Sequence, residues 1–342
     1  MQLATSLQYA GDVQSTVAQA VALEDAGLDM VFVAEAYGFD APSIMGFLAA
    51  RTTRMQIASG ILPIYSRTPA LIAQTAAGLD AVSQGRAILG LGASGPQVVE
   101  GWHGVPYDRP VARTREVVEL CRRIWRREII TNEGLYPLPL PAGQGTGLGK
   151  PLKILAHPLR DRIPVYLAAL GAQNVRLTAE IAEGWLPFLF LPERADQVWG
   201  KALAEGGALR DPQLGPLQTV AAGLLAIGDD VAGLRELARP GTALYVGGMG
   251  AKGRNFYNDL VAKYGFEAEA ERVQELYLAG HKKEAMAALP DELIELTNLI
   301  GPEGWVRDRI AAYREARVTV LNVSPVGTDP LADVRRLREL TA

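Results

Sequence analysis

Three glycines in the segment ILGLGASGPQVVEGWHG (residues 88–104) have the spacing Gly90-x-Gly92-x-x-Gly95, directly after a short apolar run. That is the letter pattern of a dinucleotide-binding turn, where glycines let a pyrophosphate approach the backbone as a helix begins. The context of such a turn is missing. Pro96, Gly101, Gly104, Pro106 and Pro110 follow, so a helix opened here lasts one or two turns. The acids further on, Glu116 and Glu119, fall inside the helical pattern REVVELCRRIW and not at a strand end. Two readings remain for the glycines. They allow a flat or phosphorylated ligand to approach the backbone, or they make a tight turn under a surface loop.

Other chemistry-bearing residues are sparse. Glu35 directly follows the apolar run MVFVA, where burial is costly unless the acid is paired or bonded to a ligand. Tyr37 comes two residues later. Of the three histidines, His103, His157 and His281, only His103 lies near a strand end, with Glu100 just before it. No His, Cys, Asp and Glu cluster has metal-ligand spacing, so no metal is expected. No Gly-x-Ser-x-Gly elbow or Walker loop occurs. Ala169, Leu170, Gly171 and Ala172 join an apolar strand to a helical pattern, and the free N–H groups of such a helix start suit a phosphate. An apolar, glycine-rich set with one acid and one anion site suits a planar phosphorylated cofactor that carries the difficult chemistry itself.

The elements that position these residues alternate along the chain. MQLATSLQY, LDMVFVAEA, MQIASGIL, RAILGLG, IPVYLAAL, WLPFLF, LQTVAAGLLAIG and VTVLNVSP read as strands, and helical patterns separate each from the next. Gly27 stands where the first helix needs a left-handed residue to end. Strands alternating with helices make a parallel sheet. Eight units predict a closed (β/α)8 TIM barrel, which needs about 250 residues. Two proline- and glycine-rich insertions, about 129–162 and 239–298, hold the surplus. No linker divides residues 1–342, so one domain is expected; an open doubly wound sheet is the competing architecture. In a barrel, the strand ends that carry Glu35, Gly60, Gly92 and Ala169 converge at one mouth.

Composition narrows the function classes. With a net charge of −4 over 342 residues, no basic surplus points to nucleic acid or an anionic membrane. The apolar run TVAAGLLAI is far shorter than the ~20 residues of a membrane span. The N-terminus lacks the basic and apolar regions of a secretory signal. Cys121, the one cysteine, shares a helical face with Val117 and Ile124 and reads as buried. A cytoplasmic protein acting on a small molecule is expected.

The stretches EDAGLDMVFVAEAYGFDA, SRTPALIAQTAAGLDAVSQGRAILGLGASGPQVVEGWHG, GLGKPLK, IPVYLAALGAQNVRLTAEIAEGWLP and LYVGGMG occur in this order. Together they resemble the luciferase-like flavin and deazaflavin oxidoreductase superfamily. Within it they resemble the coenzyme F420-dependent branch that includes methylene-tetrahydromethanopterin reductase. The resemblance implies hydride transfer between F420 and an organic substrate, with the cofactor ring in the barrel mouth. FMN-dependent monooxygenation and cofactor binding without catalysis are the alternatives. It also implies a cis peptide at Gly60–Ile61 behind the ring, ring contacts from Ser59, Gly60, Ile61, Gly92, Ala93 and Ser94, and a phosphate site at Ala169, Leu170, Gly171 and Ala172. Glu35 matches an acidic cofactor contact, and relatives assemble as homodimers or higher homo-oligomers.

Two departures stand out. Ala36 replaces a histidine that several relatives carry, and Ser94-Gly95-Pro96 replaces a carboxylate. The proton-transfer group is then one of Glu35, Tyr37, Glu100 and His103. Lys150, Lys153 and Arg160 of the first insertion either bind an anionic cofactor tail or acidic substrate near the mouth, or lie on a solvated loop. GGMGAKGRNF is either a lid over the pocket or a helix entry.

Overall fold

Short apolar strands pair side by side and close on themselves. The structure is a computed structural model describing residues 1–7 and 11–342. Its barrel strands are β1 Gln2–Leu7, β2 Met30–Val33, β3 Gln56–Ser59, β4 Ala87–Gly92, β5 Val165–Ala168, β6 Gly184–Leu186, β7 Gln218–Ala221 and β8 Val320–Asn322. Around the wall the order is β3-β2-β1-β8-β7-β6-β5-β4, and β3 pairs with β4 to close the circle. All these pairings are parallel. Ala4, Met30, Phe32, Ala58, Ile88, Tyr166, Leu186, Val220 and Val320 fill the barrel axis, so each strand contributes. The outward faces pack on the helices in a second, larger core, as the two-residue period of a strand requires.

Eight helices surround the wall: α1 Val13–Asp25, α2 Ala41–Arg51, α3 Pro69–Val82, α4 Pro110–Trp125, α5 Ala172–Ile181, α6 Pro192–Gly207, α7 Glu303–Glu315 and α8 Pro330–Thr341. Side chains of Asp12, Asp40 and Thr68 accept N–H bonds at the starts of α1, α2 and α3. Gly27 ends α1 at φ 108°, the left-handed turn expected of it. No described helix is long and apolar enough to cross a membrane. Cys121 is fully buried, and burial pushes its thiol pKa up.

The structure corrects the sequence reading in three places. The seventh apolar run is two strands. After β7 the chain leaves the wall, and Leu224–Ile227 pairs with Leu299–Gly301 and Ser324–Pro325 in a separate three-stranded sheet. The eighth run divides likewise between β8 and Ser324–Pro325. The C-terminal helix α8 was not foreseen. Gln8 and Tyr9, expected to extend the first strand, lie outside the described residues.

Strand direction gives the barrel a base and a mouth. At the base, Glu24 of α1 accepts N–H bonds from Thr53, Arg54 and Met55 (3.1, 2.6 and 2.6 Å) in the turn before β3. Burial opposes ionisation of this carboxyl, but the N–H bonds outweigh it and hold its pKa below the usual range. Arg160 belongs to the base too. It pairs with buried Asp80 of α3 and donates to the carbonyl of Ala87, where β4 begins (2.8 Å). Neither of its two sequence readings, a cation near the mouth or a solvated loop, describes it: the guanidinium is tied into the structure's underside.

Candidate active site

The C-terminal ends of β2 to β6 and the second insertion enclose a cavity of about 1020 Å³. That is at the upper end of ordinary ligand pockets, roughly 300–1,000 Å³.

Small residues, Ala36, Gly60, Gly92, Ala93, Ser94 and Ala168, make one wall together with Ile61. The Gly60–Ile61 peptide is cis. Ser59 just before it is fully buried, and its hydroxyl donates to the carbonyl of Gly90 (2.8 Å) and accepts from the N–H of Gly90 (2.9 Å). Ser59 therefore lies behind the wall, not against the cavity as expected. The glycines of the opening motif divide their roles. A Cβ on Gly90 would come within 1.7 Å of the Ser59 carbonyl oxygen, so Gly90 lets β3 and β4 approach. A Cβ on Gly92 would stand 3.0 Å from Ile61 and 3.4 Å from Ala168, in the cavity wall itself. Gly95 precedes a six-residue helix, Pro96–Gly101, the short helix that the following glycines and prolines allow.

Glu35 lines the cavity, yet both its oxygens are engaged. Arg67 donates to them through Nη1 (2.5 Å) and Nη2 (2.7 Å), and the N–H of Ala41 at the start of α2 adds a third bond (3.1 Å). The hydrogen bond to Glu35 raises the Arg67 pKa further. This largely buried pair also reaches Asp40 (2.9 Å); it staples the loops after β2 and β3 together, and Glu35 is not a free acid. Tyr37 is on the rim, 61% exposed, its ring 6.5 Å from that of Trp102. His103 and Glu100 are not in the cavity wall. Glu100 instead accepts from the N–H of Tyr107 (3.2 Å). The hydroxyl of Tyr107 reaches the carbonyl of Ser94 (3.4 Å), and burial raises its pKa.

Ala169, Leu170, Gly171 and Ala172 form the next stretch of wall, followed by Gln173 and Asn174. Two buried indoles fasten this loop: Trp185 donates to the carbonyl of Ala169 (2.9 Å) and Trp199 to that of Leu170 (2.8 Å). No side chain caps α5. The N–H groups of Asn174 and Val175 turn back to Gly171, leaving those of Ala172 and Gln173 without a partner among the described residues. The Oδ1 of Asn174 is buried and unpartnered. An uncapped N-terminus with its positive dipole end is a place for an anion.

The second insertion supplies the roof. Leu244–Gly248 is a π-helical turn, a form often found at functional sites. From it Tyr245 meets Phe188 (ring centroids 4.3 Å apart) and Tyr257 (4.8 Å). Met249, Arg254 and Phe256 complete this side. GGMGAKGRNF is thus both cavity wall and helix entry, because Asn255 starts the helix Phe256–Lys263. The first insertion contributes nothing to the wall, and Lys150 and Lys153 are exposed away from it. Of the charged residues described, only Glu35 and Arg254 line the cavity.

Sequence reasoning missed Arg67, Trp199, Tyr107 and the aromatic roof. Only Arg67 had a signal, since a buried acid at one strand end demands a cation at another.

The chain matches the model of the luciferase-like monooxygenase family over residues 1–320. A Mycobacterium tuberculosis protein, provisionally named a coenzyme F420-dependent oxidoreductase, is 39% identical over 98% of this chain and 99% of its own length. The 5,10-methylenetetrahydromethanopterin reductase of Archaeoglobus fulgidus is 27% identical over 90% of this chain and 88% of its own. Among solved structures, the coenzyme F420-dependent tetrahydromethanopterin reductase of Methanopyrus kandleri aligns with a TM-score of 0.77. It covers 98% of this chain and 96% of its own at 22% identity, a likeness of fold.

Proposed function

We propose a function from one premise: the chain belongs to the luciferase-like monooxygenase family. The reaction we infer is hydride transfer between the deazaflavin coenzyme F420 and an organic substrate. The observation that carries this reading is a wall built mostly of small residues beside an uncapped helix start, both lining one cavity. The full-length relative named for F420 supports this cofactor over FMN.

The residues present fit such a group. Gly60, Ile61, Gly92, Ala93 and Ser94 would hold a planar ring against the backbone. The N–H groups of Ala172 and Gln173 would take a phosphate, and the unpartnered Oδ1 of Asn174 would accept from a hydroxyl. When bound, the deazaflavin supplies a ring carbon that gives or accepts a hydride.

The protein's own contribution is placement, exclusion of water and one proton. Glu35 and Arg67 fix the loop bearing Ala36, and the Phe188, Tyr245 and Tyr257 rings cover the cavity. With Glu35 engaged and His103 and Glu100 outside the wall, proton transfer falls to a phenol or a water. Tyr107 is the best-placed phenol. A phenol is protonated near neutral pH, as a donor requires, and burial raises the pKa of this one further.

Anaerobic titration of the purified protein with F420 and with FMN, followed by absorbance and fluorescence, tests the proposal. F420 is expected to bind at least about tenfold more tightly, about 1.4 kcal/mol. Tight FMN binding with no F420 binding would replace this reading with FMN-dependent oxygenation.

A further inference from the structure

The cavity roof carries a feature that hydride transfer does not require. Arg254 is the one cation among the described residues of the wall. The opposing charge, Glu35, is already neutralised by Arg67. No hydrogen bond or ion pair to a described residue engages the Arg254 guanidinium, whereas neighbouring Lys252 is tied to Glu275 (3.1 Å).

The turn that presents Arg254 is built, not loose. Its N–H bonds to the carbonyl of Ala251 (2.9 Å), and Gly253 takes φ 73°. A Cβ on Gly250 would come within 2.6 Å of the Arg254 carbonyl oxygen, so the turn folds tightly back on itself. Asn255, 1% exposed, donates to the carbonyls of Tyr245 and Val246 (2.9 Å each). It also accepts from the N–H groups of Tyr257 and Asn258 (3.0 and 3.2 Å). One buried side chain therefore locks the arginine turn to the aromatic roof.

We infer that Arg254 and the Phe188–Tyr245–Tyr257 cluster form a subsite for a planar, apolar substrate bearing a carboxylate. The rings take the apolar body by stacking and edge contacts. The guanidinium fork takes the carboxylate, a pairing its geometry favours. No unpaired carboxylate of the wall repels such a ligand. The inference rests on the cavity being the substrate site proposed above. A carboxylate could also come from the anionic tail of the cofactor, so the test separates the two sources.

Benzoate and its neutral isostere benzamide serve as probes, with calorimetric titration of the cofactor-free and the F420-loaded protein. The wild type is expected to prefer benzoate about tenfold, equivalent to about 1.4 kcal/mol, with the preference shrinking as salt rises. Arg254→Gln should abolish the preference, Arg254→Lys should restore part of it, and F420 affinity should change less than about twofold. Because Arg254 is exposed, unchanged thermal unfolding should accompany both variants. Equal binding of the two probes, or a preference that survives Arg254→Gln, would overturn the subsite. So would an Arg254→Gln variant that loses F420 affinity and keeps its benzoate preference, which would assign the arginine to the cofactor tail. Loss of F420 binding from the wild type, with benzoate preference intact, would remove the cofactor proposal and leave the subsite standing.

Discussion

Two insertions interrupt the alternation, and they sit on opposite sides of it. The first, between α4 and β5, follows a helix and precedes a strand, so it leaves and rejoins the barrel at the base. It is fastened by Glu116 of α4, which accepts from the N–H groups of Leu135 and Tyr136 (2.8 and 2.9 Å) and from Asn132. Leu140, Leu148, Leu152, Leu155 and Leu159 are exposed on it, and none of its residues reaches the cavity. The second, between β7 and α7, follows a strand, so it begins and ends at the mouth. It buries Val246, Leu260, Val261, Tyr264, Val273 and Leu293 and roofs the cavity. Position in the alternation decides which insertion can serve chemistry; glycine and proline content does not.

The largest expected effect comes from breaking the roof. Asn255→Ala removes four hydrogen bonds inside the second insertion, takes the side-chain donor from the Tyr245 carbonyl and uncaps a helix, while Asn258 still donates to Val246. The loss should be about 2–4 kcal/mol in denaturant unfolding, with F420 and benzoate binding both weakened. A destabilised variant with unchanged binding would show that the roof is scaffold alone.

Glu116→Ala is the matching cut in the first insertion and should do less. Three bonds to one hairpin are lost, a local opening of about 1–2 kcal/mol. Amide exchange at Leu135 and Tyr136 should quicken, while F420 affinity stays within about twofold. A fall in affinity here would blur the division of base from mouth.

The same contrast shows what the sequence could reveal. The eight strands were legible because each wall strand is a short apolar run bounded by turn residues, and parallel strands are buried on both faces. Gly92 and the α5 start were legible because their meaning is local: a missing side chain and an uncapped helix. The division of the seventh run was not legible. Its apolar pattern continues unbroken from β7 into Leu224–Ile227. There the chain packs against a segment far along the sequence, so closely that a Cβ on Gly223 would lie 2.5 Å from the carbonyl oxygen of Thr297. The partner of Glu35 was demanded by burial but named only by the fold, since Arg67 is 32 residues away. The roof belongs to the same class, because Phe188 and Tyr245 meet only when the second insertion folds over β6. Lys150 and Lys153 lie on a solvated loop, one of the two readings the sequence left open. What decides between those readings is which end of the barrel a helix-to-strand segment occupies.

The smallest expected effect is therefore the most direct test of that last point. Lys150→Gln with Lys153→Gln removes two charges from an exposed segment outside the cavity wall. At physiological ionic strength a charge is screened over about 8 Å, so cations on the base side contribute little to an anion held at the mouth. F420 affinity in the double variant should stay within about twofold of the wild type, and its salt dependence should not change. A tenfold loss, with a flatter salt dependence, would mean that the first insertion reaches the mouth in solution. Both insertions would then serve the cavity, and position in the alternation would no longer separate them. Agreement with the expected result would confine the charges of the first insertion to the base and leave Arg254 as the one cation among the described residues of the cavity wall.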